Sequence, residues 1–207
     1  MGRQIVPLDG VGTGPRGRTF LYAFPRAGED LTKLGIASDP LIRLRSFSSR
    51  YYEFFELEAG WLVEAETTRE ARAWETRWKR ELRSHAAPAP LTVSQRAGGH
   101  TEWFRGASMR LQHARDELAA QGFPVHMRLS AWVKEQLRSW RDQLDGVERN
   151  LVAQLGAVET WPAAWMHPTL SAVRDALDAC NALELPLDAA VSPALQAWLR
   201  RNSLSPS

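Results

Sequence analysis

FLYAFPRAGEDLTKLGIASDPLIRLR, residues 20–45, holds two short apolar, β-prone runs on either side of a turn. The runs are Phe20–Phe24 and Leu31–Ile36. The turn between them carries Pro25, Gly28, Glu29 and Asp30. Apolar runs of that length bounded by Pro, Gly and Asp predict a β-hairpin. Ser38-Asp39-Pro40 then reads as a helix start, with Asp39 as N-cap and Pro40 at the first helical position. Arg43 falls on the first turn of that helix. Tyr22 in one strand, Lys33-Leu34-Gly35 in its partner and Arg43 on the helix can therefore converge on one surface, a surface suited to a phosphate group.

The next signals continue the pattern. Trp61–Ala65 predicts a third strand. Thr67 followed by Glu70 is a capping box, and it opens a helix over 68–84. At about 100° per residue, Ala71, Trp74, Trp78 and Leu82 of that helix form one stripe, and Glu75 lies within its span. A carboxylate among tryptophans is costly unless something pairs with it. It either meets an arginine at the edge of the core or serves as a ligand.

Composition bounds the rest. The chain has 207 residues, 24% charged and 44% hydrophobic, which is the profile of an ordinary globular protein of one or two domains. Net charge is +2, made of 16 Lys/Arg against 13 Asp/Glu in residues 1–107 and 10 against 11 in 108–207. Any nucleic-acid site must then be a local patch and not a global field. The single cysteine, Cys180, excludes an internal disulfide and predicts a reducing, cytoplasmic setting. No run reaches the length of a membrane span. The five histidines show no zinc spacing, and Cys180 reads as a core residue.

Leu21-Tyr22, Lys33-Leu34-Gly35, Arg43 eight residues past Gly35, and the later Glu102-Trp103-Phe104 resemble the GIY-YIG nuclease superfamily. They look most like a phage-associated branch whose second motif reads Lys-Ile/Leu-Gly, often labelled a DNA-binding domain. The resemblance covers roughly Phe20 to Gly106. It implies an α+β fold with a small three-stranded antiparallel sheet flanked by helices. It also implies phosphodiester hydrolysis in DNA with one Mg2+ or Mn2+ ion. Carried over by motif, Glu75 is the metal ligand, Arg43 contacts the scissile phosphate, and Tyr22 orients or deprotonates the attacking water. Lys33 stands where the founding pattern has a tyrosine, able to lower the pKa of Tyr22 or to hold the phosphate. Gly35 and Trp103 are structural, and Glu102 is either structural or catalytic. Arg45 and Arg72 are candidate DNA-backbone contacts. The founding pattern's asparagine after the glutamate helix has no clear counterpart, which keeps a second reading open: a non-catalytic DNA-binding protein that uses the fold to read phosphates.

The expected organisation is a flexible arm (1–18, with Arg16 and Arg18), a nuclease-like domain (19–107) and a mostly helical domain (108–207) that could dimerise. Residues 85–100 read as a loop. Within the last part, Ser108–Gln121 predicts a helix. Val133, Leu137, Trp140, Leu144, Val147 and Leu151 form a heptad-like seam that Asp145-Gly146 interrupts. Leu170–Ala182 and Pro193–Arg201 suggest two more helices. The alternation Val125–Leu129 ahead of the seam admits a ribbon-helix-helix alternative, with His126 and Arg128 presented to the major groove.

Overall fold

The structure is a computed structural model, and it describes residues 18–187 and 191–204. The expected arm thus lies outside the described residues except for Arg18, which pairs with Glu64. The described chain divides between Trp132 and Val133 into two compact units.

The first unit begins with the hairpin, β1 (Thr19–Pro25) and β2 (Leu31–Ala37), paired antiparallel. Gly28 takes φ +73° in the turn, a conformation that glycine adopts without steric cost. Helix α1 (Pro40–Phe47) follows, and the Asp39 carboxylate accepts from the Ile42 amide at 2.9 Å. A single turn, α2 (Tyr51–Phe54), leads to β3 (Trp61–Ala65), which pairs with β1 on the side away from β2. Helix α3 (Thr68–Glu81) is capped as its sequence predicts, with Thr67 accepting from the Glu70 amide. The Glu70 carboxylate reaches back to the amide of Glu66, one residue before the cap.

The sheet is wider than the expected three strands. Two-residue β4 (Ala86–Ala87) and β5 (Trp103–Arg105) add on beyond β2, and two-residue β6 (Val125–His126) adds on beyond β3. The order is β4-β5-β2-β1-β3-β6, with every pair antiparallel. β5 falls within residues 101–106, which read as a short strand or turn, and β6 within the Val125–Leu129 alternation, whereas two-residue β4 is too short to carry a signal of its own. The 85–100 segment is accordingly not all loop.

Alternation along the long strands sends side chains to two faces. Leu21, Ala23, Leu34 and Val63 share one core with Trp78 and Leu82. Leu111, Ala114 and Leu118 of α4 (Ser108–Ala120) join that core. The sequence boundary after residue 107 separates this helix from the sheet it covers, whereas its packing places it in the first unit. On the other face Tyr22 stacks on Phe24, and Phe47 and Phe55 pack around Trp103.

β6 argues against the ribbon-helix-helix alternative. A strand of that motif would present His126 outward to the major groove, but here the strand is the sheet's own edge and His126 lies 2.8 Å from Glu64. One side of β6 is taken up by its ladder to β3. At Gly60, an added Cβ would sit 2.9 Å from Leu129, so the start of the next helix rests directly on backbone.

The second unit is built of helices and connecting loops, with no strand among its described residues. It comprises α5 (Leu129–Arg141, from Val133 onward), α6 (Leu144–Leu155), α7 (Pro168–Ala182) and α8 (Pro193–Asn202). The seam residues Val133, Leu137, Trp140, Leu144 and Leu151 are all buried. The break in the seam falls at Asp142-Gln143 and not at Asp145-Gly146, which sits in the first turn of α6. There an aspartate is favoured by the helix dipole. Cys180 is fully buried, and burial pushes its thiol up to about 12. No described helix is long and apolar enough to cross a membrane.

Candidate functional site

The hairpin register sets Tyr22 opposite Gly35 and Phe24 opposite Lys33, so Tyr22, Lys33 and Gly35 share one face. Gly35 has a steric reason to be glycine: a Cβ there would lie 2.5 Å from Tyr22 Oη and 2.8 Å from Cζ. The tyrosine ring lies over the bare backbone and stacks on Phe24 at 4.0 Å between centroids. β5 pairs Trp103 with Lys33, and the Leu34 amide donates to the Glu102 carbonyl at 3.1 Å. Glu102 is thereby held beside Lys33.

Helix α1 delivers Arg43. Its Nε donates to Tyr22 Oη at 3.0 Å, Nη1 donates to the Ala97 carbonyl at 2.5 Å, and the guanidinium lies over the Phe47 ring. Lys33 is completely buried, and its Nζ donates to Glu102 Oε2 at 2.6 Å and to the Leu34 carbonyl at 3.0 Å. Lys79, one turn past Glu75 on α3, donates to Glu102 Oε1 at 2.9 Å. Glu102 thus bridges two lysines from different elements. Glu75 is largely buried (16% of its side chain exposed), and its ion-pair partner is Lys79 at 3.9 Å. Three cations and two carboxylates meet at this end of the sheet.

Burial and charge compete at each group. Burial pushes the Tyr22 phenol up to about 12, outweighing the adjacent Arg43 guanidinium. Burial pushes Lys33 down to about 8, against the opposing pull of Glu102. Glu75 is raised by burial more than Lys79 lowers it. At Glu102 burial pushes upward as well, but the hydrogen bonds from Lys33 and Lys79 hold its carboxyl below the usual range. The nearby Arg43 does lower Tyr22, but burial outweighs it. The ring is sealed against Phe24, and desolvation of a phenolate there exceeds what one partly exposed arginine returns.

Of the residues singled out from the sequence, Tyr22, Lys33, Gly35, Arg43, Glu75, Glu102 and Trp103 come together. Arg72 is exposed and reaches the cluster only through its charge on Glu75. Arg45 is joined to it by no hydrogen bond or ion pair among the described residues. Two participants were missed. Lys79 had a signal, since it stands four residues after Glu75 on the same helical face. The Ala97 carbonyl had none, because its partner Arg43 lies 54 residues away.

A divalent cation fits one element of this site. Glu75 is a poorly compensated, largely buried carboxylate, and magnesium is commonly held by one or two carboxylates together with waters and substrate phosphates. No group of three or more His, Cys, Asp or Glu residues is placed to hold a metal among the described residues.

Compared with known proteins, residues 19–119 match the T5orf172 domain. The matched segment is just under half of the chain and contains every member of the cluster. No curated protein and no solved structure matches the chain.

Proposed function

We propose that this protein is a DNA endonuclease of GIY-YIG type that hydrolyses a phosphodiester at the Tyr22–Lys33–Arg43–Glu75 cluster. The observation that carries this reading is the bond from Arg43 Nε to Tyr22 Oη beside the buried Lys33, two cations and a phenol gathered on one face. The match of residues 19–119 to the T5orf172 domain supports it, since the phage-associated branch is where the sequence resemblance points.

Each residue has a chemical role in this reading. The Arg43 fork binds two oxygens of the scissile phosphate. Tyr22, which accepts from Arg43 and keeps its own proton at neutral pH, donates to a water or a phosphoryl oxygen and so orients the attack. Lys33 adds fixed positive charge in a dry site, where it counts for more than in water. Glu75 would hold one Mg2+ or Mn2+ ion. Such an ion supplies charge neutralisation at the phosphoryl and leaving oxygens. Glu102 keeps both lysines aimed at the site.

A second reading has its own support: Lys79 stands 3.9 Å from Glu75 and competes with a cation for that carboxylate. On that reading the fold reads DNA phosphates without cutting. A supercoiled-plasmid assay with Mg2+ or Mn2+ separates the two. Nicking by the wild type, abolished in Glu75→Ala and Arg43→Ala, upholds the nuclease. Salt-sensitive retention of the plasmid without nicking in either metal replaces it with the binding protein.

A further inference from the structure

The segment from Pro88 to His100 crosses the cluster. Its backbone hydrogen bonds are internal: Val93 to Pro90, Ala97 to Ser94 and Gly98 to Gln95. Among the described residues, the one hydrogen bond that leaves the segment is Arg43 Nη1 to the Ala97 carbonyl, at 2.5 Å. Two short side chains, Val93 and Ala97, anchor it by burial, while Leu91 is fully exposed.

Gly99 takes φ +68°, and a Cβ added there would lie 2.7 Å from Arg43 Nη2, 2.7 Å from Glu102 Oε2 and 2.9 Å from Lys33 Nζ. The chain at this point presses bare backbone against the charged ends of three site residues. Gly98 also takes a left-handed φ, +65°, with nothing within 4 Å of where a Cβ would stand. The segment therefore has a glycine hinge at one end, prolines at the other and little holding it between them.

We propose that residues 88–100 form a strap that closes the site in the free protein, the Ala97 carbonyl holding the place on Arg43 that a phosphate oxygen takes when DNA binds. This rests on the reading of the cluster as a phosphodiester site and adds its regulation. The exchange is favourable because a guanidinium bonds a charged phosphate oxygen more strongly than a neutral carbonyl. Opening releases one side-chain hydrogen bond, the buried Val93 and Ala97, and the partly buried Ala89, Pro90 and His100. Apparent affinity is then the intrinsic affinity reduced by the fraction of molecules with the strap open.

Gly99→Ala is the test, since the added methyl collides with the closed site and alanine disfavours this φ. Affinity for a fluorescein-labelled duplex is read by anisotropy at low salt. Hydrogen exchange of residues 88–100 is read in the free protein, with the 20–37 hairpin as the control for folding. The expected result is at least about fivefold tighter binding than wild type, with faster exchange in 88–100 and unchanged protection of the hairpin. Equal or weaker binding by a variant whose hairpin stays protected overturns the strap while leaving the phosphate site standing. If the variant loses hairpin protection, the wild type decides: saturating duplex must change exchange at residues 94–99, and no change overturns the proposal. Failure of both proteins to retain duplex at low salt removes the phosphodiester reading, and the strap with it.

Discussion

Gly35→Ala attacks the contact on which the site is built. The new Cβ would lie 2.5 Å from Tyr22 Oη and 2.8 Å from its Cζ, well inside contact distance. The ring has little room to withdraw. It is 1% exposed and lies nearly parallel (11°) to Phe24, itself fully buried against Phe55. Overpacking of this kind costs roughly 1–3 kcal/mol. If the ring tilts to escape, the hydrogen bond from Arg43 is lost as well, a charged bond worth roughly 1.5–3 kcal/mol. Relief of glycine's strand penalty returns only about 0.5–1 kcal/mol. The net loss is therefore roughly 1.5–5.5 kcal/mol. With a urea slope of roughly 1–3 kcal/mol per molar, the unfolding midpoint should fall by at least about 0.5 M. The assay is urea unfolding of the single variant, of Tyr22→Leu and of the double variant. Tyr22→Leu removes Cζ and Oη, so the same alanine should then cost far less, giving a coupling of at least about 1 kcal/mol. A loss under about 0.5 kcal/mol, or additive effects in the cycle, would refute the claim that Gly35 exists to seat Tyr22.

Lys33 carries a pH prediction. Its pKa is pushed down to about 8 by burial, so its positive charge is present below that pH and lost above it. DNA retention at fixed low salt should decline between pH 7 and 9, and Lys33→Met should lose that transition; a wild-type profile flat over this range contradicts the role. Thr67→Ala removes the cap of the helix that carries Glu75 and should cost about 1 kcal/mol in urea unfolding, with Thr67→Ser nearly neutral. In the helical unit, buried Asp178 accepts from Ser203 Oγ at 2.7 Å and from the Leu204 amide at 2.9 Å. Asp178→Ala should destabilise by roughly 1–3 kcal/mol and speed hydrogen exchange at the end of α8; unchanged exchange there would show that these bonds hold nothing.

What the sequence by itself determined is what depends on near neighbours. The hairpin, the Asp39 and Thr67 caps, β3 and the wheel of α3 are each set by residues within a few positions. Propensity, capping and periodicity act over that range, and the observed bounds agree to within a few residues. The ordered set Tyr22, Lys33, Gly35, Arg43 and Glu75 was legible for the same reason, each being tied to a well-marked element. Tertiary structure decided the rest. β4, and the place of β5 and β6 in the sheet, depend on the backbone partners that the sheet's edges offer them. Lys79 and Lys33 are joined through Glu102 across elements far apart in the chain. The pKa of Tyr22 turns on burial against Phe24 outweighing a cation that the sequence correctly places nearby. The Ala97 carbonyl meets Arg43 only because the sheet returns residues 88–100 to the end of the hairpin. Local physics chose the parts, and long-range packing, which no short window of sequence contains, chose which of them touch and what each contact does to its charge.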